Sequence, residues 1–337
     1  MTAATPGAAT PGGSTREAAP RRGAQAVIAG YTRRGGILVP FLLLFAILAF
    51  GSASFLRPEN LANILDQQSA TIIVAVAGTL VLIAGGIDLS VGAIYALAAV
   101  TSGSIAQQGG PVWLAVIGGC AVGLAVGIVN GVVVTRFRIN SLIATLAASF
   151  VVGGLAALVT QGNLVVAFER TDFQAVAATK LAGLTGAAWI MIAFAVIVGI
   201  VLARSAFGRY VYATGGNAEA ARLGGVSVDR IKLATFALSG FAAGLAGTLD
   251  TSRVLSAQAN SGTFLAFTVL AGIVVGGTSI QGGEGAVWKS VVGCMLIALI
   301  GNGFNLLGLD PFYRQITLGL ILILAVGLDA WSRKAER

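Results

Sequence analysis

The chain contains no histidine. That removes His-based acid–base catalysis, Ser–His and Cys–His nucleophile pairs, and most transition-metal sites. Cysteine is nearly as scarce. Cys120 and Cys294 are the two present, and both sit inside apolar runs, where they read as small packing residues and not as a disulfide or redox pair. Charge is also sparse, at 10% of residues against about 25% in an average globular chain. A soluble domain of 337 residues cannot cover itself in water with so few charges, so a soluble enzyme is excluded. A phosphate-binding loop is missing too: the stretch 283–290 ends in Lys289 and Ser290, but Trp288 stands where such a loop requires glycine.

What is present is apolar. Hydrophobic residues make up 56% of the chain, which excludes disorder as the general state. The apolar runs are continuous and about twenty residues long, the length of a helical bilayer crossing and not of a membrane β-strand. Ten spans are expected, over 37–56, 66–85, 89–107, 112–134, 141–160, 187–204, 232–252, 264–280, 286–307 and 312–330. The fold class is therefore all-α, a polytopic membrane protein. Residues 1–36 are mostly Ala, Gly, Pro, Thr and Arg without apolar periodicity and read as a disordered cytoplasmic tail, with a cleaved signal peptide as the competing reading. Residues 37–331 form the membrane domain and 332–337 a short cytoplasmic tail.

Charge placement orients the spans. With the N-terminus in the cytoplasm, sixteen of the 21 Lys and Arg fall on inner segments and five on outer ones, as the positive-inside rule requires. Both termini are then cytoplasmic. The net charge of +8 is accounted for by these flanks, and no basic run interleaved with aromatics points to nucleic acid. All thirteen acids lie in tails, loops or span ends. That pattern argues against coupling to an ion gradient, which needs buried ionisable groups at mid-membrane.

Glycine, 47 residues in all, is concentrated in the spans. Gly119, Gly123, Gly127 and Gly131 recur every fourth residue in the fourth span, and Gly240 and Gly244 repeat the device in the seventh. Such stripes let helix backbones touch in lipid. Two glycine-rich corners, GGIDLSVG at 85–92 and GGTSIQGGEG at 276–285, join spans on the same side and hint at an internal repeat. In the first corner Asp88 reads as an N-cap for the third span, or as part of a pathway lining.

The longest inner loop, 205–231, holds a short helix. Asn217 is its N-cap, Glu219 lies in the first turn, Arg222 follows at i+3, and Gly224 and Gly225 close it. The spacing fits either a helix that docks in a partner's groove or a solvated loop helix.

Several ordered motifs carry a family resemblance: GGIDLSVGA (85–93), NGVVVTRFRINSLIATL (130–146), GRYVYATGGNAEAARLGGV (208–226), VVGGTSIQGGEGAVW (274–288) and NGFNLLGLDPFYRQI (302–316). Over roughly residues 37–330 the chain resembles the permease subunit of bacterial ABC importers for simple sugars, of the ribose, xylose and galactose type. Branched-chain amino-acid permeases are more distant relatives of similar build. The resemblance implies a dimer of permease subunits in the inner membrane, a cytoplasmic ATPase subunit that consumes ATP, and a periplasmic sugar-binding protein, with no cofactor held by this chain. It implies that the short helix is the coupling helix, so that Arg209, Gly215, Gly216, Asn217, Glu219, Ala220, Ala221, Arg222 and Gly224 meet the ATPase. Sugar hydroxyls would be met by neutral polar groups. The candidates are Asn130, Thr145, Asn302 and Asn305, with Asp88 and Ser90 at the corner; each has the alternative of an interhelical hydrogen bond. The chain departs from the family at Asn140, where proline is usual, at Ala218-Glu219, where Glu-Glu is frequent, and at Ala266 and Thr268, where many relatives carry an acidic pair. A secondary transporter without an ATPase, and a permease for branched-chain amino acids or nucleosides, are the alternative functions.

Overall fold

The computed structural model describes Thr2 and residues 36–334. The disordered tail expected over 1–36 and the last three residues therefore lie almost wholly outside the described residues. Among those described are thirteen helices: α1 Leu38–Gly51, α2 Pro58–Ile83, α3 Val91–Gln107, α4 Val112–Arg136, α5 Ser141–Thr160, α6 Thr171–Ala178, α7 Gly186–Arg204, α8 Ala206–Gly216, α9 Ala218–Leu223, α10 Val228–Val254, α11 Leu265–Val275, α12 Val287–Leu306 and α13 Pro311–Lys334.

Six of these helices (α2, α4, α5, α7, α10 and α12) are long and apolar enough to cross a membrane. Four shorter apolar stretches lie in α1, α3, α11 and α13. The all-α polytopic architecture is as expected, and each expected span has a helix. The eighth span does not run its full length, however. At 11 residues α11 rises only about 16 Å, roughly half of a bilayer core. The chain before it, 258–264, is not helical. It runs against the start of α3, where Gly92 and Gly262 meet backbone to backbone.

α10 is the central post, packed on α4, α3 and α2. In α2 and α10, 61% of the apolar stretch is buried, whereas in α4 and α5 it is 22%. The outer helices thus leave much apolar surface bare. On α5 this surface carries Leu146, Phe150, Val151 and Leu158. Such a surface is stable against lipid or another apolar helix and not against water. The glycine stripes explain how α4 and α10 approach. A Cβ on Gly123 would stand 2.7 Å from the Gly244 Cα, and one on Gly127 would stand 2.5 Å from the Phe236 carbonyl oxygen. Gly131 lies against Leu233, and Gly119 against Thr248 and the Ala98 carbonyl. Cys294 is buried where α12 crosses Gly272 of α11, and both cysteines are free.

The bundle has two distinct ends. At one, α6 caps the end of α10: the Ser252 hydroxyl donates to the Phe173 carbonyl (2.6 Å) and accepts from the Ala177 N–H (3.2 Å). Two short antiparallel strand pairs lie at this end, β1 Val165–Val166 with β4 Ser256–Ala257, and β2 Lys180–Leu181 with β3 Leu184–Thr185. Ala182 and Gly183, both at positive φ, turn the second pair, as a two-residue hairpin requires. At the opposite end lie α8, α9 and both glycine-rich corners.

Candidate functional site

α9 has the caps that its sequence dictates. The Asn217 side chain accepts from the Ala220 N–H at 3.0 Å, and Gly224 and Gly225 close the helix, the latter at φ +83°. Arg222 reaches Glu219 at 3.7 Å and Asp229 at 3.1 Å. Both pairs are solvent-exposed and worth at most about 1 kcal/mol each. Ala221 faces inward, while Leu223 stands 85% exposed at the tip. Reading the residue types alone missed Leu223; an apolar residue on the polar side of a capped helix was the available signal.

The segment before α9, expected from the sequence to be loop, is largely helix. α8 runs from Ala206 to Gly216, capped by the Ser205 hydroxyl, which accepts from the Gly208 N–H at 3.1 Å. Its aromatic and glycine-rich sequence is a poor helix former; packing decides instead. Arg209 is exposed on it. Gly215 lies directly on the Ile83 carbonyl at the end of α2, and a Cβ there would stand 2.6 Å from the Gly283 nitrogen. A Cβ on Gly283 would stand 2.9 Å from the Gly216 Cα, and one on Gly282 would stand 2.9 Å from the Gly85 Cα. The Gly283 N–H donates to the Ile83 carbonyl at 2.8 Å. The Tyr212 hydroxyl, whose pKa is pushed up by burial, donates to the Gly285 carbonyl at 2.8 Å. Backbone from α8 and from both corners therefore meets at one junction with no side chain between. Buried beside it, the Thr214 hydroxyl has no hydrogen-bond partner among the described residues.

The first corner is more than a turn. Residues 84–90 run as non-helical chain into the bundle, until the Asp88 carboxylate accepts from the Ser239 hydroxyl, near the middle of α10, at 2.8 Å. Asp88 therefore lies deeper than a span end, which corrects the sequence expectation for this acid. It is also not the cap of α3. Ser90 holds the cap position, and Asp88 accepts from the Ser90 N–H (3.0 Å) and hydroxyl (2.5 Å). The reason is local: an Asx turn takes the carboxylate two residues short of the helix. The Asn130 amide donates to the Ser90 hydroxyl at 2.8 Å. From α5, Thr145 accepts from the Leu89 N–H (3.0 Å) and Ser141 from the Ile87 N–H (3.1 Å). Buried non-helical backbone needs such partners, and an i, i+4 pair of hydroxyls supplies them.

Four of the six pathway candidates thus gather here: Asp88, Ser90 and Asn130 are one hydrogen-bonded cluster, and Thr145 holds the adjoining backbone at Leu89. A small cavity of about 20 Å³ opens beside it, lined in part by Asp88, Gly78 and Ala266. The other two candidates are elsewhere. Asn302 exchanges amide hydrogen bonds with Asn60 of α2 (2.9 and 3.4 Å), and Asn305 is exposed on α12.

A second polar cluster lies toward the α6 end, and the sequence reading did not assemble it. Arg253 reaches Asp250 at 2.6 Å and Asp66 at 3.4 Å. Tyr95 donates to Asp250, and Thr185 donates to Asp66 at 2.6 Å. Only the Asp250–Arg253 spacing was legible; the other members come from three separate elements. Among the described residues no group of His, Cys, Asp or Glu is arranged to hold a metal.

The chain matches, over residues 60–326, the family described as "Branched-chain amino acid transport system / permease component". It is 37% identical over 295 residues to the ribose import permease protein RbsC of Escherichia coli K12, covering 87% of this chain and 92% of the relative. The Bacillus subtilis ribose import permease is 38% identical over 297 residues, with the same coverage. The L-arabinose ABC transporter permease AraH of Azospirillum brasilense is 37% identical over 306 residues, 90% of this chain and 89% of that protein. No solved structure matches.

Proposed function

The chain belongs to this family of transport-system permease components, and from that membership we propose that it is the transmembrane permease subunit of an ATP-driven importer for a simple sugar. The relatives that carry ribose and arabinose in their names support sugar as the cargo class over branched-chain amino acids. The chain is a multi-pass protein of the bacterial inner membrane and is not itself an enzyme. ATP is consumed by a partner ATPase, a periplasmic binding protein delivers the sugar, and a second copy of this chain completes the path. The end that holds α8, α9 and the glycine corners is cytoplasmic, as are both termini.

One observation carries the mechanism: α9 is joined through α8 to both corners by direct backbone contact. An ATPase subunit that grips Leu223, Glu219 and Arg222 and moves on closure would displace α8. The displacement reaches the 84–90 segment at Gly85 and the 276–285 corner at Gly282 and Gly283. Asp88, Ser90, Asn130 and Thr145 then exchange partners, and their neutral and acidic oxygens become available to sugar hydroxyls. This is alternating access by helices rocking about a fixed polar centre.

The test is uptake into proteoliposomes that contain this chain with its ATPase, supplied with binding protein and labelled ribose, arabinose, xylose or galactose. Uptake of one sugar that requires internal ATP is expected. Equal uptake without ATP and with ion gradients collapsed would replace this reading with a facilitator. Glu219→Leu and Arg222→Leu should insert at parental yield and lose ATPase co-purification, since their exposed ion pairs contribute little to the fold.

A further inference from the structure

Between α9 and the 137–140 turn lies a cavity of about 320 Å³, more than ten times the one beside Asp88. Its charged lining is Arg138, Arg222, Lys232 and Asp229, with Asn140 at one edge. The charges do not balance. Asp229 is engaged by Arg222 at 3.1 Å, and Arg222 also serves Glu219. The Arg138 and Lys232 side chains make no direct hydrogen bond or ion pair with any described residue, although the Lys232 ammonium feels both Asp229 and the repulsion of Arg222. Lys232 is half-buried, and Arg138 is held at φ +55°. Asn140 spends its side-chain oxygen on the Leu142 N–H at 2.9 Å, as the cap of α5, which leaves its amide donors free among the described residues.

We infer that this cavity binds a phosphate group. Three cations around one already engaged carboxylate leave the cleft net positive, which favours the entry of an anion. Guanidinium, ammonium and amide N–H groups together supply the several donors that phosphate oxygens accept. A carboxylate ligand would use fewer of them. The cavity lies at the end of the bundle that holds the coupling segment. Its phosphate is either the headgroup of an anionic phospholipid or a soluble phosphate. Binding itself does not depend on which ATPase or sugar the permease serves.

The experiment uses the full chain in nanodiscs. One arm titrates inorganic phosphate by calorimetry in phosphatidylcholine discs. The other compares phosphatidylglycerol retained by the protein in native mass spectra from mixed discs. Saturable binding is expected in at least one arm, and which arm responds identifies the source. Arg138→Gln and Lys232→Gln should each weaken it about fivefold, the effect of losing roughly one favourable cation contact. Lys232→Arg should restore it, and so guards against a folding defect. Arg204→Gln, on the same end but outside the cavity, should bind as the parent does. Absence of saturable binding in both arms overturns the assignment. So does an equal loss in Arg204→Gln, which would mean general surface attraction.

Discussion

Thr145 ties the re-entrant segment to α5, accepting from the Leu89 N–H at 3.0 Å while its own proton goes to the Ser141 carbonyl at 2.8 Å. Thr145→Val keeps the shape and removes the acceptor, which leaves a part-buried N–H unpaired. The expected cost is about 1–3 kcal/mol, read as a lower thermal midpoint in detergent; Thr145→Ser should lie near the parent. A Val variant as stable as the parent would show that Leu89 finds another acceptor. At the far end, the Arg170 guanidinium holds the Asp172 carboxyl down to about 2 from its ordinary 3.8, while also donating to the Ala106 and Gly110 carbonyls. A carboxyl whose folded value lies below its unfolded one stabilises the fold above the unfolded value and loses that contribution as pH falls through the folded one. Hydrogen exchange over 163–186, corrected for intrinsic rates, should therefore rise as pH drops from about 4 toward 2; in Asp172→Asn that pH dependence should vanish. Of these residues, Thr145 was legible in the sequence as a polar group in an apolar run. Its partner was not, because nothing in a glycine-rich corner tells how far the chain reaches before helix resumes.

α4 and α10 show how a helix pair reads from composition. Glycine at every fourth position of α4 foretold contact of helix backbones, and the partner glycines of α10 do face it across the gap. Two substitutions of the same kind should therefore have opposite signs. Gly127→Ala pushes a methyl against the Phe236 carbonyl and the Gly240 backbone, and should destabilise by about 1–3 kcal/mol. Gly153→Ala, on α5, meets nothing within 4 Å and should be neutral or stabilising by up to about 1 kcal/mol through helix propensity. Thermal unfolding of both variants decides; a stable Gly127→Ala would mean the helices separate at no cost. Other elements were not legible. α8 hides in a glycine-rich, aromatic sequence and is helical because Gly215 seats on the end of α2. α11 is short because Gly92 and Gly262 bring non-helical chain inside, and hydropathy does not distinguish that chain from helix.

At the level of the whole molecule, the order of spans and the single end that gathers α8, α9 and both corners followed from apolar run length and basic residues. The convergence of those parts on one point did not, since it depends on glycines in segments far apart in sequence. Gly215→Ala tests that point: the variant should insert and bind its ATPase, yet hydrolyse ATP with uptake reduced about tenfold or more. Full uptake would remove the junction from the transport cycle. The junction's makeup has a mechanical consequence. Side chains absorb a push by changing rotamer, whereas peptide planes in direct abutment have no such slack. If α9 is the element that the ATPase moves, as proposed, a joint made only of main chain would act as a stiff hinge pin, passing a small displacement of α9 to the depth of the bundle with little attenuation.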